Sequence, residues 1–149
     1  MKKYKIYRFP IIVLAIFILG GCVASFEDGN ELAEVAKTKI SEMPVDSLIV
    51  KLENYEPILL LDVRQDDEFE EGNIPGSVLL SRGELEFKIS SEPFWEEMFL
   101  YSPLPEDEIV VYCKSGARAA LAAESLQKLG FLNVYSLEGG YLAYQAKTE

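Results

Sequence analysis

The stretch Ile109-Val110-Val111-Tyr112-Cys113-Lys114-Ser115-Gly116-Ala117-Arg118 passes from an apolar run through a short loop into an alanine-rich segment. The apolar run fits a strand covered on both faces, as in a parallel sheet. Ala117 to Leu129 then reads as a helix, with Gly130 placed to end it. Between them, the strand delivers the Cys113 thiol into a tight loop that feeds a helix N-terminus. Unpaired backbone N–H groups and the helix dipole converge there, which favours a thiolate, the nucleophilic form. Ser115 and Gly116 are small enough for the loop to curl around a bound sulfur or anion, and Lys114 and Arg118 bring positive charge.

Working outward, the same alternation repeats. Val45 to Glu53 has apolar residues at helical spacing, with Pro44 just before or at its start. Ile58 to Val63 is a second continuous apolar run, and Asp66 to Glu71 a short helical turn. Ile74 to Ser77 is a turn and Val78 to Leu80 a short strand. Phe94 to Tyr101 is expected to be helical, with Trp95, Met98 and Phe99 on one side and Pro103 and Pro105 closing it. Leu132 to Leu137 is a further strand, and Gly139-Gly140 turns into a last helix, Tyr141 to Ala146. Strands alternating with helices specify an α/β domain with a mainly parallel central sheet flanked by helices. Sites in open sheets of this kind lie at the carboxyl ends of strands, where Cys113 sits.

The chain has 149 residues, enough for one domain with its own core. It contains no histidine, which removes Ser-His-Asp and Cys-His hydrolases and makes zinc an improbable occupant. Met1 to Arg8 is basic, Phe9 to Leu19 is almost wholly apolar, and Leu19-Gly20-Gly21-Cys22 follows. A basic region, a short apolar region and small residues before a cut make a secretory signal. The apolar run is well short of the roughly 20 residues of a spanning helix. Leu-Gly-Gly-Cys resembles the lipobox of bacterial lipoproteins, which implies acylation of Cys22 as the new N-terminus and a membrane anchor. An ordinary cleaved signal or an uncleaved anchor remains the alternative. The expected division is therefore a signal peptide over 1–21, the lipidated Cys22 and a tether over 22–40, and the folded domain over 41–149. Within the tether, Leu32, Val35, Ala36 and Ile40 give a weak helical pattern, a first packing segment. The expected location is the bacterial cell envelope, with Val23 after the cysteine pointing to the outer membrane, facing the periplasm, in a Gram-negative cell.

Losing residues 1–21 removes four of fourteen cations and leaves ten basic against 25 acidic side chains, a net −15. Nucleic acid is an unsuitable partner for such a surface, because its binding rests on cations that neutralise phosphates. A soluble monomer fits it better.

The loop Cys113 to Arg118, a cysteine followed by four residues and an arginine, resembles the active-site loop of the rhodanese family. Leu61-Asp62-Val63-Arg64, Glu68-Phe69 and Gly72-Asn73-Ile74-Pro75-Gly76-Ser77 resemble its N-terminal signature. Arg82 to Phe87 and Leu137 to Tyr141 are similar to further family segments, and the pieces follow in order over about residues 40 to 146. One departure is Asn73, where the family usually has histidine. The resemblance implies a single rhodanese-like domain acting as a sulfurtransferase. Cys113 would take the outer sulfur of a donor such as thiosulfate, become a persulfide, and pass the sulfur to a thiol or cyanide-like acceptor, with no metal or organic cofactor. The backbone amides of Lys114, Ser115, Gly116, Ala117 and Arg118 would hold the extra sulfur, and Lys114 and Arg118 would favour an anionic donor. Asp62, Arg64 and Glu68 are expected to be structural. Arg64 and Glu68, four apart, are expected to pair, and Asp62 to hold loop backbone or Arg118.

Other readings stay open on the sequence. A lone cysteine is often a buried core residue. Cysteine phosphatases and arsenate reductases also set Cys and Arg on a loop at a helix start, usually with five residues between them rather than the four found here. A disulfide oxidoreductase lacks its resolving thiol, since Ser115 and Gly116 occupy the nearby positions. A non-catalytic rhodanese-like module that binds a partner or senses persulfide is the alternative from a different class.

Overall fold

The computed structural model describes residues 25–148, so the signal segment and Cys22 lie outside the described residues. Five strands form one parallel sheet: β1 (Ser41–Met43), β2 (Leu59–Asp62), β3 (Val78–Leu79), β4 (Glu108–Tyr112) and β5 (Asn133–Leu137), in the order β1-β5-β4-β2-β3. Among the described residues seven helices accompany them: α1 (Gly29–Lys37), α2 (Val45–Glu53), α3 (Asp66–Glu70), α4 (Leu85–Lys88), α5 (Glu92–Glu97), α6 (Ala117–Lys128) and α7 (Gly140–Thr148).

The apolar runs are continuous because both faces of the central strands are covered. Leu61, Ile109, Val111 and Val134 pack on one side with Ala119, Ala122, Ala123 and Leu126 of α6 and with Leu85, Ile89 and Trp95. Leu60, Val110, Tyr112 and Leu137 pack on the other with Met43 and with Val45 and Leu48 of α2. Cys113 belongs to the first of these clusters.

One local expectation is corrected. The helix expected over 94–101 is α5, Glu92–Glu97. It starts at Glu92, with Pro93 in its first turn, where proline is well suited. A left-handed Phe99 (φ 57°) and the bond from Leu100 N–H to the Trp95 carbonyl (2.9 Å) end it. Of the three residues placed on one side, Trp95 is buried and Met98 half-buried, whereas Phe99 is 96% exposed. Edge strand β1 was not expected, because three residues reading Ser-Glu-Met carry no alternation; pairing with β5 makes it a strand. The first packing segment expected within residues 22–40 contains α1. Asp28 caps α1 by accepting from Asn30 and Glu31 N–H (2.8 and 2.9 Å). That helix then packs along α6, burying Ala33 and Ala36. Alanines on α6 (Ala119, Ala120, Ala122, Ala123) are buried too, and small side chains let helices approach closely.

Candidate active site at the end of β4

Strand β4 ends at Tyr112, and Cys113 follows at the carboxyl edge of the sheet with 1% exposure. The Gly116 N–H donates to its Sγ at 3.2 Å. Gly116 holds φ +100° as the residue before α6, a conformation that suits glycine, and its carbonyl accepts from Ala120 N–H (2.9 Å). The loop is braced from behind by α7. Tyr141 N–H donates to the Cys113 carbonyl (2.8 Å) and Leu142 N–H to that of Lys114 (3.1 Å). Gly140 allows this approach: a Cβ there would stand 2.9 Å from Gly116 N and collide with the Cys113 carbonyl oxygen.

Lys114 and Ser115 are exposed, Gly116 is buried, and Ala117 and Arg118 are half-buried. The Arg118 guanidinium grips Glu68 of α3 in a two-pronged pair, Nη1 to Oε2 at 2.6 Å and Nη2 to Oε1 at 2.7 Å. Glu68 Oε2 also accepts from Gln65 N–H (3.2 Å). Glu68 holds Arg118 firmly protonated, and the Cys113 sulfur adds to that effect.

The expected Arg64–Glu68 pair is thereby corrected. Arg64 turns back on Asp62 instead, with its Nε 2.9 Å and its Nη2 2.7 Å from Asp62 Oδ2. Asp62 accepts the Arg64 backbone N–H as well (2.9 Å), so it serves Arg64 and not Arg118. The physical reason is burial. Arg64 is 3% exposed and Asp62 0%, and a buried charge needs its partner at contact distance. Arg64 Nη2 also donates to the Gly72 carbonyl (2.7 Å), and its Cζ lies 4.3 Å from the Tyr141 ring centre and 5.6 Å from that of Tyr112. Tyr112 Oη accepts Ile74 N–H (3.2 Å) and bonds Ser77 Oγ (2.8 Å). Burial pushes the Tyr112 phenol well above its ordinary range, which keeps it protonated. The segment from Asp62 to Ser77 is thus tied to the residue just before Cys113.

Two residues near the loop escaped the sequence reading. Tyr141 stacks against Tyr112, and only the Gly139-Gly140 pair before it signalled a close approach. Lys37 of α1 pairs with Glu34 (2.8 Å), which holds it protonated, with smaller contributions from Glu42 and Cys113. Beside the loop, a cleft of about 240 Å³ is lined by Arg64, Glu68, Glu71, Lys114, Tyr141 and Leu142 among others. A larger hollow of about 600 Å³ lies between α5 and Leu104, lined by Glu92, Glu96 and Leu100, none of them a loop residue.

The match to known proteins agrees with this geometry: residues 45–147 fit the rhodanese-like domain. The chain belongs to the rhodanese-like family. A mitochondrial protein of Schizosaccharomyces pombe, provisionally named a thiosulfate sulfurtransferase, is 40% identical over 91 residues, 60% of this chain and 64% of that one. This chain thus spans less than two thirds of that relative. The human single-domain sulfurtransferase superposes with TM-score 0.66 at 28% identity, covering 71% of this chain and 96% of that one. A Rhodopseudomonas palustris protein of unknown function, described as a possible tyrosine phosphatase, gives TM-score 0.70 at 28% identity, covering 84% and 94%. The rhodanese-like fold, a parallel five-stranded sheet flanked by helices, is shared with these structures. Helix α1, with Lys37, precedes the matched span of this rhodanese-like domain.

Glu68 gives a pH prediction. The Arg118 guanidinium lowers its carboxyl from 4.5 to about 2. A group depressed on folding stabilises above its unfolded pKa, and that contribution fades as pH falls through the folded one. The difference in urea midpoint between wild type and Glu68→Gln is therefore expected to be constant above pH about 5 and to close between about 4.5 and about 2. A gap that persists undiminished at pH 2 would show that the pair contributes nothing through charge.

Proposed function

We propose that this rhodanese-like protein is a sulfurtransferase that works through a persulfide on Cys113. The observation that carries the reading is the Gly116 N–H directed at the Cys113 sulfur at 3.2 Å, where β4 gives way to α6. A helix start holds unpaired N–H groups and a positive dipole end, which stabilise charge on the thiolate and on the sulfur it acquires. The thiolate attacks the outer sulfur of thiosulfate. The S–S bond of the donor breaks, sulfite leaves with the bonding pair, and Cys113 retains the sulfur as a persulfide anion. Cyanide or a thiolate then takes that outer sulfur and regenerates the thiolate. Two easy displacements replace one hard transfer. With Cys113 only 1% exposed, the loop bearing Lys114 and Ser115 has to open locally for each exchange.

We propose further that the protein sits at the bacterial cell envelope, anchored through Cys22; the resemblance of Leu19-Gly20-Gly21-Cys22 to a lipobox supports this. Among the described residues no helix is long and apolar enough to cross a membrane.

The test is the intact mass of the full chain in detergent after exposure to thiosulfate, then to cyanide. The expected result is a gain of about 32 Da, one sulfur atom, that disappears as thiocyanate is released. Uptake without repeated turnover would favour a persulfide-sensing module, and no uptake from thiosulfate or polysulfide would leave a binding module.

A further inference from the structure

Sulfur donors differ in charge, and the loop meets them with few uncommitted cations. Arg118 gives both terminal nitrogens to Glu68, at 2.6 and 2.7 Å. Arg64 is committed to Asp62, and Lys37 to Glu34. Lys114 forms no ion pair among the described residues, and it shares its cleft with Glu68 and Glu71. The arginine of the loop, read from sequence as a magnet for anions, is already neutralised. A two-pronged carboxylate–guanidinium pair is strong and directional, so an incoming anion meets Arg118 with its charge already balanced by Glu68 and only its remaining N–H donors to offer.

We propose that Glu68 sets the charge of the sulfur donor: by occupying Arg118 it selects donors with at most one negative charge over the thiosulfate dianion. This rests on the sulfur-transfer reading above. A monoanion needs one cation, and Lys114 supplies it. A dianion needs two, and the second is held by Glu68. Organic thiosulfonates and persulfides are the favoured class. In the first, the Cys113 thiolate takes the terminal sulfur of R–SO2–S⁻ and a sulfinate leaves with the bonding pair. In the second, it takes the terminal sulfur of R–S–SH and R–S⁻ leaves. Glu68 acts through Arg118 and is a positioning residue.

Methanethiosulfonate replaces one oxyanion of thiosulfate by a methyl group, so the two donors differ chiefly by one charge. The test compares their single-turnover rate constants for loading Cys113, in wild type and Glu68→Gln, using the full chain in detergent. The expected result is a shift in the ratio of the two rate constants toward thiosulfate by about tenfold in Glu68→Gln, the effect of about 1.4 kcal/mol of differential binding. A merely structural role would slow both donors together and leave the ratio unmoved; a ratio that shifts less than about threefold overturns the proposal. Should the variant fail to fold, wild type alone decides it. Sulfate should compete with methanethiosulfonate loading no better than methanesulfonate does, and stronger competition by sulfate overturns the assignment. Loading by neither donor would instead remove the sulfur-transfer reading, and this proposal with it.

Discussion

Cys113→Ser is expected to abolish sulfur uptake and to lower thiocyanate release by at least about a thousandfold, the scale of losing a covalent nucleophile. A serine hydroxyl stays protonated where a thiol ionises, and it forms no persulfide. The substitution is otherwise conservative. Serine differs from cysteine at one atom, and Gly116 N–H, now 3.2 Å from Sγ, would have an oxygen to bond. The fold should therefore survive, with a change in urea midpoint worth about 1 kcal/mol or less. Intact mass and thiocyanate release, measured beside far-UV circular dichroism, separate the two effects. A folded Cys113→Ser protein that still turns over would place the chemistry elsewhere.

Asp62→Ala is expected to cost about 3–5 kcal/mol of stability, the range for breaking a buried ion pair from one side. The cause is what remains. Arg64 is 3% exposed and would keep its charge with the Gly72 carbonyl and two aromatic faces as its remaining partners. The paired variant Asp62→Leu, Arg64→Met removes both charges and should recover most of the loss, since an apolar pair of similar volume often replaces a buried salt bridge at little cost. Urea unfolding of the three proteins measures this. A loss under about 1 kcal/mol in Asp62→Ala would mean that water reaches Arg64 and that the pair behaves like a surface one.

The two charged pairs explain why the stretch from Asp62 to Ser77 resembles the family signature without reading as chemistry on its own. Asp62, Arg64 and Gly72 form one buried knot against Tyr112 and Tyr141. Glu68 leaves that knot and reaches α6 instead. Spacing of four residues permitted an Arg64–Glu68 pair, and nothing local argued against it. The alternative partner, Arg118, is fifty residues away and is brought close only by α3 and α6 meeting over the end of β4.

The boundaries of α2 and the core of α6 were legible because their apolar residues repeat at helical spacing, with Pro44 marking the start of the first and Gly130 the end of the second. Strands β2 and β4 were legible because a parallel strand with two covered faces leaves an unbroken apolar run. Strand β1 was not, since an edge strand of three residues takes its conformation from its neighbour β5. Helix α1 was only faintly visible, because the side chains it buries, Ala33 and Ala36, carry little hydrophobic signal of their own.

By itself, the sequence determined the α/β alternation, the delivery of Cys113 from a strand into a helix start, and the absence of any histidine chemistry. Each follows from local spacing or from composition, which the chain carries wherever it folds. Tertiary structure alone decided which acid faces which arginine, and so how much positive charge the loop has to offer. Ion pairing depends on distance in space and on burial, and both are properties of the packed sheet and helices.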